Sequence, residues 1–284
     1  MGFTLVLTAT YMVAEVVGGL VSGSLALLAD AGHMLSDVAA LGLSLFAMTV
    51  ARRPPDGKRT YGYARTEILA ALVNGAALLT IAAFVVYEAA MRVVAPPEVN
   101  GPVAMGVAAG GLLINLGALW LLADARHDSL NTRGAWLHVL GDALGSVGAL
   151  ASGALIWAFD FRWADPVASF LIAALISYSA FQLLKETTAV LMESAPDHVD
   201  VESLQQELEG LAKVTSVHDL HVWTIDAGTV LCTLHVVTEA SVSDTLPVVN
   251  AVLRERFGIH HATVQVETAS YASEHCPGCE LAPT

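Results

Sequence analysis

Six long apolar stretches constrain the fold of this chain more than any other feature of its sequence. They cover residues 2–21, 25–50, 68–94, 103–123, 134–159 and 163–184. A helix needs about 20 apolar residues to cross the hydrocarbon core of a bilayer, so each stretch is long enough to span a membrane. Only 14% of the residues are charged, whereas soluble domains average about 25%. The sequence therefore predicts a membrane all-α domain with six transmembrane helices.

The chain changes character after residue 192. Residues 1–192 carry 10 basic and 13 acidic side chains, whereas residues 193–284 carry 3 and 14 together with seven of the ten histidines. In this second part, helical spacing at 199–211 is followed by strand-like runs at 214–225 and 229–238, a second helical run at 245–257 and a strand at 262–267. We predict a transmembrane domain over 1–192 and a small α+β domain, ordered α-β-β-α-β, over 193–284.

The charge of the second domain bears on its partners. Its acidity argues against nucleic acid as a partner and favours cations, although a role of the acidic residues in solubility alone explains the charge equally well.

Basic residues predict the orientation of the membrane domain. Arg92 and Arg162 lie on one side, and eight basic residues lie on the other: Arg52, Arg53, Lys58, Arg59, Arg65, Arg126, Arg133 and Lys185. Because basic loops stay in the cytosol, both termini and the acidic domain are predicted to be cytosolic.

A short polar motif occurs twice inside the apolar stretches. His33-Met-Leu-Ser-Asp37 lies in the second stretch and His138-Val-Leu-Gly-Asp142 in the fifth. A spacing of four puts His and Asp on one helix face, about 6 Å apart along the axis. Ionisable residues inside a membrane span are costly and normally mark a transport pathway. Two such helices side by side would present two imidazoles and two carboxylates, a donor set that suits tetrahedral Zn²⁺ rather than Mg²⁺ or Ca²⁺.

These polar residues have two further interpretations. A buried His–Asp hydrogen bond that only holds helices together would explain one motif, but two copies of the same pattern favour a metal site. Asp30 lies one helical turn before His33 on the same face. It would either line the pathway or orient a ligand.

The residues around both motifs resemble the cation diffusion facilitator family, and the similarity extends over essentially the whole chain. Residues 23–37 resemble that family's second-helix signature, and 138–142 the fifth-helix half of its site. Residues 61–67 are similar to its third-helix entry and Asp165-Pro166 to its sixth helix. The resemblance implies a homodimeric Zn²⁺ exporter that exchanges cytosolic metal for protons. It points to the cadmium–zinc–cobalt resistance type and the animal zinc transporters, and to a multi-pass location in a bacterial inner membrane.

The same resemblance covers histidines of the acidic domain. In the animal relatives the corresponding positions bind zinc, which implies one site made of His218, His235 and Glu267. A second implied site consists of His221, His260, Cys276 and Cys279. Patterning alone agrees with this division, because residues three apart on a regular strand, such as His218 and His221, point to opposite faces.

The pair Cys276-Pro-Gly-Cys279 leaves three interpretations open. Thiolates suit Zn²⁺, so the pair fits a metal clip. A redox pair would need a strand–helix context that this sequence lacks, and a tail with idle thiols is the third interpretation. Some bacterial relatives have histidines in the loop that corresponds to residues 54–65, but this loop has none. We therefore predict no metal site in that loop.

The remaining function classes can be separated by motif. An intramembrane metalloprotease would need His-Glu-x-x-His to hold a metal and activate water, and the sequence does not contain that motif. We therefore predict a cation:proton antiporter and not an enzyme, with divalent metal ions and protons as its ligands. The alternative is a membrane-bound metal sensor that does not transport.

Overall fold

A computed structural model describes residues 2–51, 53–123, 130–226 and 228–275 of the chain. The first part of the chain consists of long helices, as the apolar stretches predict. They are α1 (Gly2–Ser22), α2 (Leu25–Ala51), α3 (Thr66–Val94), α4 (Gly101–Leu122), α5 (Leu130–Phe159) and α6 (Ala164–Leu191). Among the described residues, four segments are long and apolar enough to cross a membrane: Thr66–Val94, Gly101–Leu121, Val139–Phe159 and Ala164–Leu191. The predicted fold class, a helical membrane domain followed by an α+β domain, is confirmed.

The chain forms two compact units. Residues 1–46 and 70–184 make up the first unit, which we call the helical unit. Residues 47–69 and 185–284 make up the second, which we call the sheet unit.

Small residues allow the helices of the helical unit to pack closely. A Cβ on Gly101 would lie only 2.7 Å from the carbonyl oxygen of Gly153, so α4 and α5 meet there backbone to backbone. Membrane helices gain packing energy from such close approaches, since apolar burial gives no advantage within lipid.

A buried carboxylate holds the start of α2. Asp165 lies at the start of α6, and its side chain is only 1% exposed. Its carboxylate accepts hydrogen bonds from the Ser24 hydroxyl at 2.5 Å and from the Leu25 amide at 2.8 Å. The guanidinium of Arg92, near the end of α3, lies 3.5 Å from it. The Asp165 side chain therefore connects α2, α3 and α6 at the first turn of α2, which lies before the His33 motif in the sequence.

The described residues of the sheet unit after α6 form three strands and three short helices. The strands are β1 (Ser216–Thr224), β2 (Val230–Val237) and β3 (His261–Glu267), and the helices are α7 (Val201–Glu209), α8 (Val242–Glu255) and α9 (Ala269–His275). The strand order is β1-β2-β3, with β1 antiparallel and β3 parallel to β2. The predicted order α-β-β-α-β is present, and α9 is an additional element that the sequence pattern did not indicate.

Both longer helices of this unit cover the same face of the sheet. Leu204 and Leu208 of α7 and Leu253 of α8 are fully buried, and they belong to one cluster with Val236 and Cys232 of β2. Each such leucine contributes roughly 1.5–3 kcal/mol of burial free energy. The side chains of the alternate residues on β2, which include Thr233 and His235, therefore point to the opposite face. At one end of that face the ring of Tyr61 lies against His261, with 6.3 Å between the ring centroids.

Cys232 belongs to the buried face, and burial raises the pKa of its thiol to about 12. The thiol is therefore protonated at neutral pH, and a protonated thiol neither attacks electrophiles nor binds metal. In a Cys276→Ser/Cys279→Ser variant, we expect N-ethylmaleimide to modify Cys232 at least about 100-fold more slowly in native protein than in denatured protein. Mass spectrometry of timed samples measures both rates, and equal rates would contradict the buried position.

Candidate metal centres

The first centre lies in the helical unit, where α2 and α5 meet. Because α2 is an unbroken helix from Leu25 to Ala51, His33 and Asp37 share one face, and Asp142 of α5 faces them. The Nε2 atom of His33 lies 3.3 Å from Oδ1 of Asp142 and 3.9 Å from Oδ2 of Asp37. One ligand atom from each of these residues lies within 4.8 Å of the other two. Ligand atoms about 2.0 Å from a tetrahedral Zn²⁺ are about 3.3 Å apart, so the donors fit that ion with small adjustments.

The fourth predicted ligand, His138, lies in α5 one helical turn before Asp142. Its side chain is outside the described part of the structure. Three of the four predicted membrane ligands are therefore brought together, and the role of His138 stays a prediction.

Asp30 lies beside this centre, as its spacing from His33 indicated. It is 4% exposed, and with His33 it lines a cavity of about 140 Å³ between α2, α5 and α6. A Cβ on Gly145 would lie 3.0 Å from Oδ1 of Asp30, so the glycine allows α5 to approach this carboxylate closely. The His33 imidazole and the Asp30 carboxyl group therefore line the same cavity.

The second centre lies on the sheet face that is not covered by α7 and α8. The register pairs His218 of β1 with His235 of β2, and Glu267 ends the neighbouring β3. The Glu267 carboxylate lies between the two imidazoles, 3.2 Å from Nε2 of His218 and 3.1 Å from Nδ1 of His235. Ligand atoms from all three lie within 4.8 Å of one another. The first predicted set of cytosolic ligands is thus assembled from three strands.

The Nδ1 atom of His235 tests whether this cluster fits a metal. It is buried and lies 3.1 Å from Oε1 of Glu267, but without the geometry of a hydrogen bond. A buried polar atom that makes no hydrogen bond costs about 1–3 kcal/mol. A cation bound between His235 Nδ1 and the Glu267 oxygen would remove that cost. Two imidazoles and a carboxylate are a set of ligands that binds Zn²⁺.

The position of His221 corrects one expectation. Strand alternation predicts that His218 and His221 point to opposite faces, and this is wrong. His218 pairs with His235 and His221 pairs with Thr233, so the two histidines stand opposite residues that share a face of β2. The reason is a β-bulge between them, which inserts one extra residue into β1 and cancels the alternation. All three histidines therefore lie on the open face.

The second predicted set of cytosolic ligands is only partly described. Nε2 of His221 lies 3.0 Å from Oδ1 of Asp219. The sequence patterns did not indicate a role for this carboxylate. His260 is exposed and precedes β3, and it does not belong to a metal-capable group among the described residues. Cys276 and Cys279 lie outside the described residues. This set therefore stays a prediction.

Models of two protein domains match the chain, and together they cover most of it. One describes the cation efflux transmembrane domain and matches residues 3–192, and the other describes the cytoplasmic domain of cation efflux proteins and matches residues 196–269. The chain belongs to the cation efflux family. The resemblance to cation diffusion facilitators of the cadmium–zinc–cobalt type is thereby confirmed, and this cation efflux protein is an integral membrane protein.

Named relatives match this cation efflux protein over most of their own length. It is 40% identical over 268 residues to the metal cation efflux system protein CzcD of Cupriavidus metallidurans, covering 93% of this chain and 85% of that one. It is 42% identical over 278 residues to the zinc transporter ZitB of Escherichia coli, with 96% and 88% covered. The cadmium, cobalt and zinc/H(+)-K(+) antiporter of Bacillus subtilis is 38% identical over 276 residues, with 95% and 89% covered.

A solved structure also matches part of this cation efflux protein. It is the metal-bound C-terminal domain of the CzcD transporter from Cupriavidus metallidurans, which is 33% identical. The match covers 24% of this chain and 99% of that domain, with a TM-score of 0.23. The relatives named above are transporters and antiporters of metal cations, and none carries the name of an enzyme.

Proposed function

We propose that this protein exports Zn²⁺ from the cytosol in exchange for protons. The observation that carries the proposal is the group formed by His33, Asp37 and Asp142, whose ligand atoms lie within 4.8 Å of one another between α2 and α5. His138 completes the proposed tetrahedral set. Two carboxylates balance the charge of Zn²⁺, which makes its passage through a low-dielectric region less costly.

Proton exchange follows from the chemistry of the ligands. Imidazole and carboxylate bind metal only when deprotonated, so a proton and a zinc ion exclude each other at the same atom. In the proposed cycle, the site binds Zn²⁺ from the cytosol, the helices rearrange, and protons from the far side displace the metal. The relative in Bacillus subtilis, whose name includes both zinc and H(+), supports this exchange.

The donor set also bears on the range of metals. Imidazole nitrogen beside carboxylate oxygen suits several divalent transition metals, and geometry rather than affinity distinguishes among them. Relatives are named for cadmium and cobalt as well as zinc. We therefore expect Cd²⁺ and Co²⁺ as further substrates, with Zn²⁺ as the principal one.

For the sheet unit we propose regulatory zinc binding in the cytosol. Its support is the cluster of His218, His235 and Glu267 together with the match to the cytoplasmic domain of cation efflux proteins. We further propose a homodimer with both termini in the cytosol of a bacterium, in its inner membrane. The distribution of basic residues supports this orientation.

A transport measurement tests the proposal and separates it from a sensor that does not transport. Proteoliposomes with an acidic interior should accumulate Zn²⁺, because protons that leave drive metal inward. A gradient of one pH unit stores about 1.4 kcal/mol per proton, which is about tenfold in zinc accumulation for each exchanged proton at zero membrane potential. A zinc-sensitive dye inside the vesicles reports the accumulation.

Two controls make the outcome unambiguous. Nigericin with K⁺ collapses the pH gradient and should abolish accumulation, and protein-free vesicles should show none. Uptake that does not respond to the gradient would contradict proton exchange. Zinc binding without any uptake would favour the sensor.

A further inference from the structure

Glu15 is a buried carboxyl group of the helical unit that belongs to neither metal centre. It lies in α1, inside the first predicted membrane span, and it is 0% exposed. Neither of its carboxyl oxygens has a hydrogen-bond partner among the described residues. A buried carboxylate without a donor or a counter-ion is strongly unfavourable, and an ionisable residue at such a position normally has a role in transport.

The titratable groups that face Glu15 come from three helices. Tyr11 precedes it by one turn in α1, Asp30 of α2 lies beside it, and Asp142 of α5 has a weaker electrostatic influence on it. The hydroxyl of Tyr11 donates its proton to the carbonyl oxygen of Val107 in α4, at 2.5 Å. The nearest carboxyl neighbour of Glu15 is therefore Asp30, which in its ionised form is an acceptor like Glu15 itself.

Two neighbouring carboxyl groups can satisfy each other in one way. Ionised carboxylates only accept hydrogen bonds and repel each other, whereas a proton on one of them makes it a donor to the other. A proton on the pair of Glu15 and Asp30 thus supplies the missing hydrogen bond. The pair also has access to space, because Asp30 lines the cavity of about 140 Å³ that it shares with His33.

We propose that Glu15 binds one of the protons that are exchanged for Zn²⁺, at a site separate from the metal ligands. This role rests on the proposed function. Zn²⁺ that binds to His33, Asp37 and Asp142 repels a proton on the adjacent pair, and the low dielectric of the site strengthens that repulsion. The proton leaves Glu15 through Asp30 and the cavity, and a proton from the far side replaces it when the metal leaves.

A purely structural role of Glu15 makes a different prediction. A carboxyl group that only connects α1 with α2 would keep its proton throughout the cycle. Glutamine has the same shape, and its amide donates a hydrogen bond to Asp30 in the same way, but it cannot release a proton. Glu15→Gln therefore preserves the structural contact and removes the proposed proton site.

The experiment counts the protons that zinc binding releases. Full-length protein in detergent and in weakly buffered solution receives saturating Zn²⁺, a pH-sensitive dye reports the released protons, and elemental mass spectrometry gives the bound zinc. We expect Glu15→Gln to bind as many zinc ions as the wild-type protein and to release about one proton fewer per chain. Protons from the cytosolic ligands cancel in this comparison, because both proteins contain the same ligands.

The same variant has an expected effect on transport. In acid-loaded proteoliposomes with a gradient of one pH unit, one exchanged proton corresponds to about tenfold in zinc accumulation at zero membrane potential. Accumulation by Glu15→Gln should therefore be about tenfold lower than accumulation by the wild-type protein.

Two controls accompany Glu15→Gln. Glu186→Gln makes the same chemical change at an exposed position of α6, and we expect it to release as many protons as the wild-type protein. Glu15→Asp keeps an ionisable group at the position and should retain the proton that Glu15→Gln loses. Infrared difference spectra of the wild-type protein provide a second measurement, independent of whether Glu15→Gln folds. Zinc should remove the C=O stretching band of a protonated carboxyl group, and this band should shift in Glu15→Asp.

The outcomes separate this role from the proposed function. Unchanged proton release and zinc accumulation in Glu15→Gln would overturn the role of Glu15 and leave the exchange of Zn²⁺ for protons intact. A loss that Glu15→Asp does not reverse, or an infrared band that zinc does not change, would also overturn it. Wild-type accumulation that ignores the pH gradient would overturn both the exchange and this role.

Discussion

Replacing Asp37 with asparagine should reduce zinc transport by at least about 100-fold. The substitution keeps the size of the side chain and removes one of two carboxylates that face His33 between α2 and α5. A divalent cation then keeps an uncompensated positive charge in a low-dielectric region. Loss of one partner from a buried charge pair costs about 3–5 kcal/mol, and about 2.7 kcal/mol already corresponds to 100-fold in affinity.

Zinc uptake into acid-loaded proteoliposomes measures this effect. Asp142→Asn should behave like Asp37→Asn, because both carboxylates lie within 3.9 Å of the same nitrogen, Nε2 of His33. Asp197→Asn is the matched control, since it makes the same chemical change at an exposed position outside the membrane helices. Transport by Asp37→Asn at the rate of the control would eliminate Asp37 as a ligand.

A second comparison separates ligand loss from misfolding. Asp37→Asn keeps the size and shape of a side chain that is 24% exposed, so the unfolding temperature should stay near that of wild type. A variant that transports poorly and also unfolds early would leave the fold, rather than the ligand, as the cause. Reconstituted protein with an unchanged unfolding temperature and no uptake would identify a ligand.

The membrane centre could be predicted from sequence because helix geometry is fixed. A spacing of four places His33 and Asp37 on one face in any regular helix, and the length of the apolar stretch indicates that the helix is continuous. Periodicity does not say which helices pack together. The pairing of α2 with α5 was supplied by the resemblance to a known family and by the repeated motif.

Strand geometry was less predictable, for a physical reason. The direction of a strand side chain depends on register, and register depends on the partner strand. The bulge that puts His221 beside His218 is a property of the pair β1 and β2, and no local pattern in β1 reveals it. The left-handed residue at the bulge, Asp219, is of a type that tolerates this conformation, but it gives no other signal in the sequence.

Helix ends were predicted where apolar sequence ends, and α6 shows the limit of that rule. The apolar stretch stops at residue 184, whereas α6 continues to Leu191. Polar residues such as Lys185 and Glu186 favour helix almost as strongly as leucine does. The helix therefore extends seven residues beyond the apolar stretch, from 184 to 191.

Replacing Asp165 with alanine should destabilise the protein by about 3–5 kcal/mol. The substitution leaves Arg92 without this charge partner, and it leaves the Leu25 and Ala26 amides in the first turn of α2 without their acceptor. Thermal unfolding in detergent should begin roughly 10 °C lower, since 1 kcal/mol shifts the unfolding temperature by about 2–4 °C in a chain of this size class. Asp197→Ala is the matched control, because it removes an exposed carboxylate, and surface substitutions of this kind change stability by only about 0.5 kcal/mol.

Asp165→Asn separates the two causes of this loss. Asparagine keeps an oxygen that accepts hydrogen bonds from the start of α2, where Asn caps as well as Asp does, but it removes the charge that faces Arg92. The guanidinium retains the Glu88 carboxylate at 3.2 Å and the carbonyl of Gly23 at 2.6 Å. We therefore expect Asp165→Asn to cost less than half as much as Asp165→Ala. Asparagine still accepts a hydrogen bond from the first turn of α2, whereas alanine leaves the Leu25 and Ala26 amides without the acceptor that Asp165 provides. Equal losses in the two variants would instead assign the stabilisation to the ion pair with Arg92.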